Sequence, residues 1–407
     1  MLDTIEGLPD LTDPDFYIGD PYPTYHRLHR EAPVYWHPHA HSKRGGFWLV
    51  SGHGPLSWAS RHPEVYSSVP GLALDGPDTE MINMMLSGSI ICTDPPVHRD
   101  LRRMLLDVFK PTAMEALEPV IRCHVRELLD RIPVGEPFDL VETVAAPLPT
   151  WVVGELLGTP PAERTRLEHL VDALVAYSDA DAGFDDTGAA AMMAGFSFFG
   201  ELVEARRAAL GPDLVSAFLS GLVQGRPLES GEVIQSTYVL LVAGTETVRN
   251  VISNGIAALA DHPEQLQALR QNPTLIEPAI EEILRWISPV NYFTRTATTD
   301  AELAGQSIVA GDKVMLHFAA ANRDEAVFGA DADDFRIDRE PNPHVAMGVG
   351  EHYCLGAHLG RLESRLFFEE FLDRFASFEP AGPAPRVRTT HIRGLRSLPL
   401  VVQPARS

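Results

Sequence analysis

Cysteine is scarce in this 407-residue chain: Cys92, Cys123 and Cys354 make an odd count with no CxxC pair. That argues against a disulfide framework or a cysteine-rich zinc site and suits a reducing cytosol. Positive charge is scarce as well. Lys and Arg number 33 against 56 Asp and Glu, and the formal charge of -23 repels nucleic acid and anionic lipid. No window holds the ~20 consecutive apolar residues of a membrane span, and the opening MLDTIEGLPDLTDPDFYIGD lacks the apolar core of a signal peptide. The expectation is a cytoplasmic protein with no nucleic-acid partner and no membrane anchor. Fixed-period repeats, low-complexity tracts and Gly/Ser- or Pro-rich linkers are missing too, so one domain over residues 1–407 is expected.

What is present is a large apolar content, 45%, arranged mostly with helical period. The segments 96–131, 160–178, 188–209, 232–260, 263–270, 274–287 and 355–374 all read as amphipathic or buried helices. Strand signals are short: VYW and GFWLVSG near 34–52, the stretch around 294–318, and the terminal LPLVV. The fold class expected is mainly α with small β-sheets.

The cysteine that invites chemistry is Cys354, in HVAMGVGEHYCLGAHLGRLE (344–363). A phosphate loop of the GxGxxG kind would need glycine at 353, and Tyr353 stands there without a preceding strand. A structural buried thiol is the plainest reading of a lone cysteine. Two features move beyond it. Gly348, Gly350 and Gly356 leave room for a large flat group, and the start of the helix LGAHLGRLESRLFFEEFL favours a thiolate. A thiolate offered to open space suits the metal of a bound cofactor.

These residues resemble the haem-binding loop of the cytochrome P450 family, Phe-x-x-Gly-x-x-x-Cys-x-Gly, with Met347 in place of the phenylalanine. The resemblance implies a cytochrome P450 fold with haem b, Cys354 as axial ligand of its iron, and Met347, Gly348 and Gly356 against the haem. Other motifs follow in the family's order. Glu282 and Arg285, three apart, match its Glu-x-x-Arg, and Arg336 or Arg339 completes that structural ion network. Ala243-Gly244-Thr245-Glu246-Thr247 is similar to the oxygen-activating signature, implying Ala243 and Gly244 beside haem and Glu246 and Thr247 as the catalytic proton relay. A threonine bonded to the carbonyl one turn back would open the helix there into a groove. The family's propionate partners fall on His98, Arg102, Arg295 and His352.

The resemblance, which spans nearly the whole chain, implies a soluble, monomeric monooxygenase. It would insert one atom of O2 into a lipophilic small molecule: a steroid, terpenoid, branched lipid or polyketide-type product. The substrate-contacting regions fall on 81–91 (Met81, Met84, Met85, Ile91), on Val239, Val242 and Ala243, on Val290, Asn291 and Phe293, and on Ile392 and Arg393. Asn291 or Arg393 would meet a polar end of the guest. With no flavin or iron–sulfur segment in the chain, electrons are expected from an acidic ferredoxin and its reductase. Arg99, Arg103, Lys110, Arg361 and Arg365 would form a basic docking patch for it. Atypical P450 chemistry (ring formation, peroxygenation, nitration) and a non-catalytic haem sensor are the competing readings. His37, His39 and His41, alternating in a Pro-containing loop, read as an exposed segment rather than a metal site.

Overall fold

Helix Ser230–Asp261 is the longest element of the structure, a computed structural model that describes residues 5–76, 79–177 and 186–405. A reciprocal capping box between Glu229 and Glu232 starts this central helix. Apolar residues then bury it on several sides, because helices Pro147–Leu157, Asp186–Ala208, Ile276–Ile287 and Ala357–Arg374 all pack on it. The main apolar cluster runs through these helices and through Val97–Phe109 and Pro111–Leu129.

The helical periods foresaw most of this framework, with two instructive differences. The single helix expected over 96–131 is two. Pro111 has no N–H to donate and drives Lys110 to extended backbone (φ -67, ψ 152), so one helix ends at Phe109 and the next begins at Pro111. Helix Pro147–Leu157 was not foreseen. Nine of its eleven residues are buried, so it has no polar face and no amphipathic period to read. Residue 178, the end of another expected helix, lies outside the described residues; that helix is seen as Arg164–Tyr177.

The strands expected near 34–52 and 294–318 join one sheet. Val34–Pro38 pairs antiparallel with Gly46–Val50, which runs parallel to Lys313–His317; that strand is antiparallel to Tyr292–Ala297, which also pairs with Tyr66–Ser67. The terminal strand Pro399–Pro404 lies between Phe375–Pro380 and Phe138–Asp139. Among the described residues no helix is long and apolar enough to cross a membrane.

Candidate active site

The loop before Cys354 is shaped by glycine and held by backbone bonds. Gly348 (φ +71) and Gly350 (φ +77) adopt left-handed conformations, and a Cβ on Gly350 would sit 2.7 Å from the Ser60 carbonyl oxygen. The Cys354 N–H donates to the Met347 carbonyl at 2.8 Å, and the Val345 N–H donates to Asn322 Oδ1 at 2.8 Å. Helix Ala357–Arg374 follows at once, capped by Gly356, whose missing side chain leaves open space. Cys354 is accessible, with the partly buried Met347 and Leu355 beside it. Burial pushes its thiol pKa up and outweighs the Gly356 N–H and the charges of Arg102 and Arg361, which favour the thiolate. The Gly356 N–H at the helix start favours the thiolate, as expected, but dipole effects are worth only ~0.3–1 kcal/mol and desolvation outweighs them. A metal ion that binds the sulfur would deprotonate it outright.

The central helix carries the signature residues on a partly exposed stretch. Ala243 is exposed, and Gly244, Glu246 and Thr247 are partly so, although Leu241, Thr245 and Val248 around them are buried. Thr247 Oγ1 donates to the Ala243 carbonyl at 3.0 Å. The helix nevertheless continues unbroken from Ser230 to Asp261, so the expected local opening is not seen; the back-bonded hydroxyl is accommodated within the helical turn. Gly244 has a packing reason instead. A Cβ there would meet Val153 Cγ2 at 2.7 Å, so glycine lets helix Pro147–Leu157 approach closely. Gly360 on the cysteine helix differs: a Cβ there would lie 3.6 Å from Val248 Cγ2, an ordinary contact, so close packing does not require glycine at that position.

The four residues expected to meet propionates converge from three elements. His98 and Arg102 share one face of helix Val97–Phe109, Arg295 lies in strand Tyr292–Ala297, and His352 belongs to the cysteine loop. The His98 and His352 rings are 4.2 Å apart, His352 shares a 3.2 Å hydrogen bond with Ser68 Oγ, and Arg102 Nη1 donates to the Tyr353 carbonyl at 2.8 Å. Arg295 is enclosed, donates to the Thr294 carbonyl at 2.8 Å, and is pushed down to about 10 by burial against the pull of Asp94 and Cys92. Burial, then Arg295, His98 and Arg102, push His352 down to about 2; burial, then Arg102, also lowers His98. His98 Nδ1 is buried without a hydrogen-bond partner. A cluster that resists further positive charge and keeps an unfilled nitrogen fits the two carboxylates of a haem.

The structural ion network decides between Arg336 and Arg339. Glu282 and Arg285 are both fully buried, with Arg285 Nε donating to Glu282 Oε2 at 2.7 Å. Arg339 Nε joins them at 3.2 Å from the same oxygen, and Asn342 Nδ2 adds a bond of 3.2 Å. Arg336 contributes only its backbone N–H, 2.9 Å from Glu282 Oε1; its side chain pairs with Asp331 and Asp338 at the surface. Arg285 also donates to the carbonyls of Asn322, Ala332 and Asp334, which pins the chain leading to the cysteine loop.

Among the expected pocket residues, Val290 and Ile392 are joined by an isolated antiparallel bridge, Phe293 packs on His391, and Ile91, Val242 and Phe293 are partly buried. Val239 is buried in the main core and Met84 is exposed, its carbonyl accepting from Gln235 Nε2. The side chains of Met81 and Met85 lie outside the described residues. Two assignments change. Asn291 is buried and its Nδ2 donates to the Thr390 carbonyl at 2.9 Å, so it braces the 389–392 turn. Arg393 turns to the ring of Tyr22, 5.3 Å from its centroid, and is committed there rather than to a guest.

The expected basic patch is also compensated. Arg99 pairs with Glu351 (2.5 Å), Arg103 with Asp100 (3.1 Å), Lys110 with Asp107 (3.4 Å), Arg361 with Glu281 (2.6 Å) and Arg365 with Glu118 (2.7 Å). Adjacent carboxylates could not be seen from spacing, since all but two of these pairs are distant in sequence. His37 departs from the exposed reading: it is 4% exposed, and its Nε2 accepts from the Leu11 N–H. No cluster of metal-binding side chains is found there or elsewhere among the described residues.

An acid–alcohol helix packed beside the helix that follows a cysteine loop is the arrangement of a haem-dependent oxygenase. The sequence profile of the cytochrome P450 family matches residues 184–395. Linalool 8-monooxygenase of Pseudomonas putida is 36% identical, over 97% of this chain and 99% of its own length. The methyl-branched lipid omega-hydroxylase of Mycobacterium bovis is 35% identical, over 92% of this chain and 89% of its own. The structure of a Mycobacterium marinum cytochrome P450 in complex with pseudoionone superposes with a TM-score of 0.91 at 32% identity, over 98% of this chain and 99% of that one. The chain belongs to the cytochrome P450 family: it is a monooxygenase, an oxidoreductase that works with haem.

Proposed function

We propose that this monooxygenase hydroxylates or epoxidises a lipophilic, methyl-branched small molecule of the terpenoid or branched-lipid kind. The observation that supports the substrate class is the set of apolar side chains offered by Val242, Val290, Phe293 and Ile392, with Val290 and Ile392 bridged, in a chain whose relatives are named for linalool and methyl-branched lipids. Haem b would be the cofactor, with the Cys354 sulfur binding its iron and His98, Arg102, Arg295 and His352 holding its carboxylates. When bound, the haem supplies the reductive activation of O2 and the transfer of one oxygen atom. The chain's residues supply the rest. Thr247 Oγ1 spends its hydrogen on the Ala243 carbonyl, so its lone pairs accept from water or a bound ligand. To give a proton it must rotate off that carbonyl, and Glu246, its neighbour in sequence, replaces the proton from solvent. Electrons come from an acidic ferredoxin and its reductase.

A panel of acyclic terpenoids, methyl-branched fatty acids and steroids tests this reading. Displacement of the water ligand, seen as a blue-shifted Soret band, and an oxygenated product dependent on ferredoxin and O2 are expected for the branched acyclic members. Turnover of steroids alone would move the substrate class, and ligand binding without any product under reduction would favour a sensor.

A further inference from the structure

Two residues past Thr247, the central helix carries a cation that the proton relay above leaves unexplained. Arg249 is three positions from Glu246, the spacing that puts both side chains on one helical face. Its Nε is buried without a hydrogen-bond partner, and Nη2 donates a long 3.4 Å bond to the Leu395 carbonyl. Three carboxylates from three elements favour its charge: Glu246 on its own helix, Asp172 on helix Arg164–Tyr177 and Asp139 on strand Phe138–Asp139. Asp139 already accepts the N–H groups of Val141 at 2.8 Å and Leu398 at 3.0 Å. Asp172 stands in a different position. Burial raises its pKa, Arg249 opposes that, and Glu168 and His169 of the same helix act on it in opposite directions. Burial works against the guanidinium charge as well. An incompletely bonded buried cation is costly, and the acids around it are what it can serve.

We propose that Arg249 is a positioning residue for oxygenation, holding Glu246 ionised beside Thr247, with Asp172 as the carboxylate that competes for the same guanidinium. The inference rests on Glu246 acting as the relay acid. The step it controls moves one proton and no electrons: solvent protonates the Glu246 carboxylate, which passes a proton to Thr247 Oγ1 as that hydroxyl releases its own to the bound ligand. Removing the guanidinium makes Glu246 hold its proton to higher pH; removing Asp172 does the reverse, since it takes away a like charge and frees Arg249. A purely mechanical role, bracing the 386–395 segment through the Leu395 carbonyl, would alter stability and leave the Glu246 titration in place.

The test is infrared difference spectroscopy of the ferric haem-loaded enzyme between pH 4 and 8, with Glu246→Gln identifying the carboxyl band. In Arg249→Gln the titration of that band moves up by about one unit or more, while Arg249→Lys stays near wild type and Asp172→Asn moves down. If Arg249→Gln does not fold, the Lys and Asn variants carry the comparison. A Glu246 band that titrates at the same pH in Arg249→Gln, or in Asp172→Asn where that variant stands in, overturns the inference. Product formed per electron separates the two levels. Unchanged coupling in Glu246→Gln removes the relay reading and this inference together, whereas an uncoupled Glu246→Gln with an unmoved titration in the Arg249 variant removes the role of Arg249 alone.

Discussion

In the function proposed above, Cys354 and Thr247 act through single atoms, and each has a variant that isolates the atom. Cys354→Ala removes the sulfur and leaves Met347, Leu355 and Gly356 in place. The reduced protein with carbon monoxide is expected to lose the red-shifted Soret band of a haem thiolate; retention of that band with full activity would sink the ligand assignment. Thr247→Ala removes the hydroxyl that caps the Ala243 carbonyl and leaves the helix intact. Substrate affinity is expected to be unchanged and product per electron to fall by roughly tenfold or more, with peroxide accounting for the difference. Titration of substrate binding alongside NADH and peroxide accounting checks it, and unaltered coupling would leave the hydroxyl a structural role only.

Helix Ile276–Ile287 anchors its surroundings with buried charge, so its stability effects are large and specific. Glu282→Gln leaves Arg285 and Arg339 enclosed without their shared anion, at a cost of about 3–5 kcal/mol, whereas Arg336→Gln, whose side chain is at the surface, stays within about 0.5 kcal/mol. Urea unfolding of the two variants decides which arginine belongs to the network; equal losses would contradict the geometry. The neighbouring Glu281 links this helix to the cysteine helix through Arg361 and to the cysteine loop through His344. Burial pushes its carboxyl up, but bonds from Arg361 and His344 win and hold it down to about 2. A depressed carboxylate stabilises above its unfolded value of about 4.3 and loses that contribution as pH falls through the folded value. Wild type minus Glu281→Gln, measured by denaturation, is therefore expected to be constant above about pH 5 and to shrink toward pH 2. A difference that does not change with pH would mean the pair is electrostatically idle.

At the scale of the whole molecule, the charge of -23 acts on any acidic electron donor. The helix Val97–Phe109 and the cysteine helix answer it with cations that are each partnered, so the patch is near neutral and acts through contrast with its surroundings. Arg103, the most exposed of them at 73%, is where reversal does least to the fold. Arg103→Glu is expected to slow reduction by a ferredoxin severalfold without changing substrate affinity, and added salt to slow wild type more than the variant. Stopped-flow reduction at several ionic strengths measures both, and insensitivity to charge and salt would move the docking face elsewhere.

Local chemistry was legible in the sequence wherever a residue's role follows from its own atoms and its neighbours in the chain. Helical period, the glycines around Cys354, the Glu282 and Arg285 spacing, and the Ala243–Thr247 signature all depend on short-range geometry, and they placed the helices and the motif residues in advance. Tertiary structure decided what depends on which distant group arrives. Arg339 rather than Arg336 reaches Glu282, Gly244 answers to Val153, and Arg393 and Asn291 are taken up by Tyr22 and the Thr390 carbonyl. Helix Pro147–Leu157 stayed hidden for the same reason, because a segment buried on all sides has no period to show. Desolvation set the Cys354 thiol against its helix dipole, and burial, unlike spacing, exists only once the chain has folded.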